Sequence, residues 1–68
     1  MMRELIRYRG RIVDLVYLDR RGRFTRRQVR ILNISGDTVR VFCLERQSPR
    51  TLRIENILAL QLVIGRAG

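Results

Sequence analysis

The chain has no histidine, no tryptophan and no lysine, and only one cysteine and one proline. Without histidine, the side chain that most often acts as a general base at neutral pH is missing. Ser35 and Ser48 both sit in turn contexts that account for them, and Asp14 and Glu55 are isolated carboxylates with arginines nearby. No catalytic set assembles from these residues, so an enzyme is not expected. Metal-ligand spacing is absent, and the expectation is no metal and no cofactor. A lone cysteine excludes an internal disulfide and with it a secreted disulfide scaffold. Cys43 lies in the apolar run Val41, Phe42, Cys43, Leu44, the setting of a buried small hydrophobe. The longest apolar stretch, residues 57–64, includes Gln61 and is too short to span a bilayer. Asp14 interrupts the only candidate signal-peptide core, so a cytoplasmic protein without a membrane partner is expected.

What the chain does have is arginine. All fifteen basic residues are arginine, against six acidic ones, for a formal charge of +9. A field of that sign draws polyanions, nucleic acid first and an anionic membrane surface second. Arginine forks suit phosphate and stack on bases, as lysine does not. A GC-rich genome would also favour arginine codons, so charge alone does not decide between an anion site and a solvated surface. The charge is concentrated in "DRRGRFTRRQVR" (19–30), where six arginines surround one glycine.

Sixty-eight residues allow one small domain, spanning 1–68, whose core is marginal enough to favour self-association. Met2, Leu5 and Ile6 fall at helical spacing and Gly10 at a helix end, predicting one or two helical turns over 2–9. β-Branched and aromatic runs at 11–18, 23–35, 38–46, 51–54 and 58–64 read as strands. Turn signals separate them: "DRRG" as a type I turn, "SGD", "QSPR" with Pro49 ending strand pairing, and a tight turn at "ENI". The fold class predicted is all-β: a small Sm/SH3-like β-barrel of about five antiparallel strands with a short N-terminal helix.

A two-residue loop at Gly36 and Asp37 would pair Ile34 with Val39, Val29 with Leu44 and Arg27 with Arg46. A four-residue loop at 19–22 would pair Tyr17 with Phe24 and Asp14 with Arg27. One face then carries Val13, Leu15, Tyr17, Phe24, Leu32, Ile34, Val39 and Val41; the other carries Ile12, Val16, Leu18, Val29, Ile31, Phe42 and Leu44. Both are apolar, and pattern alone does not say which is inside. Two facing arginines repel unless Asp14 or a bound phosphate compensates. Arg50, just past the third turn, would reach the same anion, and alternation points Arg53 away from Leu52 and Ile54. Arg20, Arg21 and Arg23 form a separate basic hairpin tip suited to a phosphate backbone. Tyr17 and Phe24 at its base are candidates for stacking bases, or else an ordinary cross-strand core contact. The plain alternative for every arginine is a stem covering apolar surface and a head in water.

"VRVFCLERQSPRTLRIENI" (39–57) resembles the end of a WYL domain, with Cys43, Arg46, Arg50, Leu52, Arg53, Ile54, Glu55 and Ile57 on the family's pattern. Upstream, Tyr17, Asp19 and Gly22 keep step with its opening, so the resemblance spans roughly residues 4–62. The chain would be a diverged, stand-alone form, since Asp37, Thr38 and Val39 stand where the naming Trp-Tyr-Leu triplet falls. The resemblance implies an Sm/SH3-like barrel, a place in bacterial transcription regulation, DNA-damage response or phage defence, and a nucleic-acid or nucleotide ligand held by basic residues. It carries that role to Arg46, Arg50 and Arg53. The leading expectation is therefore a module holding single-stranded nucleic acid or a nucleotide-like anion through Arg46, Arg50 and Arg53, with Arg27 assisting. The alternative is an interaction module, a homodimer or a partner of a regulator protein, with its arginines largely solvated.

Overall fold

The computed structural model describes residues 1–64. Helix α1 (Met2–Arg7) precedes strands β1 (Ile12–Leu18), β2 (Phe24–Ser35), β3 (Thr38–Cys43) and β4 (Ser48–Arg53). A single 3-10 turn (Ile54–Asn56) then leads into β5 (Ile57–Leu62). All neighbours are antiparallel, in one five-stranded open sheet of order β4-β3-β2-β1-β5. No described helix is long and apolar enough to cross a membrane.

Two local features decide which side chains face inward. At the first hairpin the Asp19 N–H donates to the Arg23 carbonyl at 2.9 Å, leaving a three-residue loop, Arg20 to Gly22. Gly22 adopts φ +78°, the left-handed conformation that closes such a loop. The predicted four-residue loop is thus corrected by one residue: Leu18 pairs with Phe24, Tyr17 with Thr25, and Asp14 with Gln28. A one-residue slip moves every side chain of β2 to the opposite face. Val29 and Ile31 therefore join Val13 and Leu15 inside, while Phe24 is 69% exposed.

The second feature is a bulge at Leu32. The Gly36–Asp37 loop is as predicted, with Gly36 at φ +59° and Ser35 opposite Thr38. Ile34 also pairs with Val39 as expected, but the register shifts between Ile31 and Asn33. Beyond the bulge Ile31 meets Val41 and Val29 meets Cys43. The extra residue, Leu32, is expelled to solvent, and such a bulge bends its strand. Arg27 is accordingly carried to Glu45, not to Arg46.

Other bounds shift modestly. β3 stops at Cys43 because residues 44–47 turn, with Gln47 at φ +52°. Pro49, expected to end pairing, lies within β4 opposite Phe42. It is tolerated because β4 is an edge strand, where a missing N–H leaves no ladder bond unmade. The tight turn predicted at "ENI" is the 3-10 turn.

The core is one cluster: Leu5, Val13, Leu15, Val29, Ile31, Val39, Val41, Cys43 and Ile57. Cys43 is fully buried with a free thiol, as its apolar context implied. α1 contributes Leu5, which sits on the inner face with no exposed surface. Its end is tied down where the Gly10 N–H donates to the Ile31 carbonyl at 2.7 Å and an Arg30 Nη1 donates to the Gly10 carbonyl at 3.0 Å.

Because Leu5 is the only residue of α1 in the core, its truncation tests whether the helix is part of the cooperative unit. Leu5→Ala should lower unfolding free energy by about 2–5 kcal/mol, a large share of the stability of so small a domain. Ile6→Ala, at a position 60% exposed, should change it by less than about 0.5 kcal/mol. Urea denaturation followed by circular dichroism measures both.

Candidate anion-binding groove

At one end of the sheet three segments converge around a groove of about 790 Å³. The first hairpin contributes Leu18, Asp19, Arg20 and Arg21; the β3–β4 turn contributes Arg46; β4 and the 3-10 turn contribute Arg50, Thr51, Leu52, Arg53 and Asn56. Tyr17 and Arg27 complete the lining. The volume falls within the range of small-molecule sites. Six arginines thus share one concavity with a single carboxylate.

The sequence places these arginines by simple means. Arg20 and Arg21 occupy the loop that Gly22 closes. Arg46 lies in the turn whose left-handed residue is Gln47. Arg50 follows from edge-strand alternation, since it stands opposite Val41, an inward position. Having no strand beyond it, β4 leaves Arg50 exposed toward the groove. Arg53 closes β4 opposite Thr38.

Their charges are unevenly compensated. Arg27 Nη1 donates to Glu45 Oε1 at 3.0 Å, and Arg53 lies 3.6 Å from Glu55 in an exposed pair. Exposed pairs of that kind are worth little. Among the described residues, Arg20, Arg21, Arg46 and Arg50 have no carboxylate within ion-pair distance. Asp19 makes no ion pair with them: its Oδ1 accepts the backbone N–H groups of Arg21 at 2.8 Å and Arg23 at 2.9 Å, and its one negative charge faces six guanidinium groups. Those bonds, that of Arg23 foremost, hold the Asp19 carboxyl below its ordinary range despite some desolvation.

Arg27 differs from the others. Its side chain is only 22% exposed, and its Nε is buried without a hydrogen-bond partner. The neighbouring Tyr17 phenol is the largest influence holding its guanidinium in the charged form, opposed by burial and assisted by Glu45. A second cavity of about 510 Å³ lies on its other side, lined also by Asp14, Arg26, Gln28, Leu44 and Glu45. There each cation has a carboxylate, with Arg26 3.7 Å from Asp14 and Arg27 on Glu45. The second cavity is electrically balanced, and the groove is not.

The expected residues therefore sort cleanly. Arg27, Arg46, Arg50 and Arg53 share the groove, and Arg20 and Arg21, expected as a separate tip, join them. Arg23 does not line it, and its backbone closes the hairpin instead. Tyr17 lines the groove but Phe24 does not, because the hairpin register puts them on opposite faces. The cross-strand pairing expected for Tyr17 and Phe24 does not form, since Tyr17 stands opposite Thr25 and Phe24 opposite Leu18. Thr51 and Asn56 were missed: neither sits in a pattern that marks a ligand, and only the curvature of β4 into the 3-10 turn brings them in.

The Asp19 bonds make the tip sensitive to acid. A carboxyl with a depressed folded-state pKa stabilises its loop above the ordinary value of 3.8 and loses that contribution as pH falls through the lower folded value. Hydrogen exchange at the Arg21 and Arg23 amides, corrected for intrinsic rates, should quicken over that acid range. In Asp19→Asn it should already be quicker at neutral pH. Rates unchanged in the variant would show that the carboxylate does not order the tip.

Comparison with family models, curated proteins and solved structures finds nothing that matches this chain.

Proposed function

We propose that the protein is a binding module for phosphate-rich anions, single-stranded nucleic acid or a nucleotide, held in the arginine groove. One observation carries this reading: four arginines without carboxylate partners among the described residues, Arg20, Arg21, Arg46 and Arg50, line one concavity with Arg27 and Arg53. Like charges gathered in this way raise the field in a cleft and draw an anion toward it. Guanidinium forks then meet phosphate oxygens two at a time. Arg46 and Arg50 would clamp phosphate, Arg53 would leave its exposed pairing with Glu55, and Arg27 would form a fixed floor. Tyr17 supplies the one aromatic ring of the groove, a surface for a single base.

The strand order supports the finer fold reading, a curled Sm/SH3-like barrel. β5 returns to pair with β1, and the 3-10 turn joins β4 to β5 across the open side of the sheet. The resemblance to WYL domains fits the same site, since the three arginines it marks, Arg46, Arg50 and Arg53, all line the groove. On this reading the protein is a diverged WYL-like regulatory module.

Fluorescence anisotropy with a labelled oligothymidine tests the proposal. Affinity should fall with salt, with a log–log slope of about −0.7 per phosphate neutralised on a single strand. Arg46→Ala with Arg50→Ala should weaken binding at least tenfold and make that slope shallower by about 1.4. Neutralising Arg26, which is outside the groove and paired with Asp14, should change much less. Absence of binding at low salt, or equal losses from Arg26 and from the Arg46–Arg50 pair, would overturn the reading.

A further inference from the structure

The strand farthest from β4 in the sheet has an unusual border. Residues 57–64, "ILALQLVI", carry no charge and no proline, in a chain where 31% of residues are charged. β5 is an edge strand, and an edge offers a row of N–H and C=O groups to any matching strand. The Val63 N–H donates to the Ile12 carbonyl at 3.0 Å, which fixes the alternation. Leu60 and Leu62 therefore turn their backbone groups away from β1, toward the free border.

Their side chains share the inner face, opposite Leu15 and Val13, yet they are only half-buried. They pack against the core from the edge, and among the described residues no further strand is hydrogen-bonded to the far side of β5. Leu58 is 50% exposed, and Ala59 and Gln61 are exposed beside it. Exposed edges are ordinarily blunted by charge, proline or a bulge that twists them away. β5 has one irregularity, between Ala59 and Ile57 opposite Val16 and Tyr17, and it lies at the start of the strand. The stretch from Ala59 onward is unguarded.

We infer that β5 is an association surface and that its occupant is β5 of a second copy, paired antiparallel about a twofold axis. The absence of charge along residues 57–64 selects that occupant. A foreign partner drawn to this basic chain would be acidic, and β5 has no arginine to receive it. The complement of an uncharged, leucine-rich edge is another such edge, and β5 supplies one by symmetry. The pairing would cover the inner-face leucines of both copies. It is independent of the anion groove, whose arginines come from β4, the β3–β4 turn and the first hairpin tip.

The two sites should respond to salt in opposite ways. Each copy carries +9, and the repulsion is screened as the Debye length falls from about 10 Å at 0.1 M to about 3 Å at 1 M. Sedimentation velocity from micromolar to near-millimolar protein should show a dimer that tightens several-fold over that range. Leu58→Lys with Gln61→Lys places charge on the border without touching a buried residue, and should leave a monomer. If that variant fails to fold, amide exchange in the unaltered protein decides: Leu60 and Leu62 should become protected as concentration rises. A chain monomeric throughout, or a dimer whose Leu60 and Leu62 amides exchange freely, would overturn the inference. Loss of oligonucleotide binding in the Arg46–Arg50 variant would leave it untouched.

Discussion

The arrangement depends on how β2 is registered between its neighbours. β2 is the longest strand and contributes to both central ladders, so an offset at either end is transmitted through the sheet. Three loop residues closed by Gly22 set one side, and the extra Leu32 sets the other. Together they put Val29 and Ile31 in the core and, on the same face two residues earlier, Arg27. An arginine on an apolar face needs hydrogen-bond partners for its head, and the bulge supplies one by bringing Glu45 to 3.0 Å from Nη1, while Nε stays without a partner. Without that extra residue Arg27 would meet Arg46, which instead has no ion-paired carboxylate among the described residues and lines the groove.

The cationic groove is in this sense a by-product of a folded core that tolerates one inward arginine. Only Arg27 has a protein partner at short range and a buried nitrogen, so it is fixed. The surrounding arginines come from two turns and an edge strand, where nothing buries them and their heads keep rotamer freedom. A rigid floor with adaptable walls suits a ligand whose shape varies but whose charge does not. Asp19 lies among them as a single charge against six, with its Oδ1 hydrogen-bonded to the loop it closes.

Much of this was legible in the residues. β-Branched runs marked five strands, Gly36–Asp37 marked a two-residue hairpin, and Leu5 at helical spacing marked the helix that reaches the core. The gathering of Arg27, Arg46, Arg50 and Arg53 was also readable, though for a mistaken reason in one pair. Face assignment was not readable. "DRRGR" accommodates a three- or a four-residue loop with the same glycine, and the two differ by one register step. A bulge at Leu32 leaves no compositional trace either, because leucine suits a regular strand position equally well. Phe24 shows the effect of that ambiguity: a four-residue loop pairs it with Tyr17, and a single step pairs it with Leu18 instead, where it is exposed.

Pro49 gives the two borders of the sheet unlike characters. On β4 the ring removes a donor from the outward row, and Arg50 and Arg53 add like charges along it. Endless growth of strand upon strand requires two compatible borders per molecule, one to receive and one to offer. This molecule has a single competent border, so any stacking it undergoes is self-terminating. The proline acts as a stopper against fibrils, in a chain whose other margin has every ingredient for them.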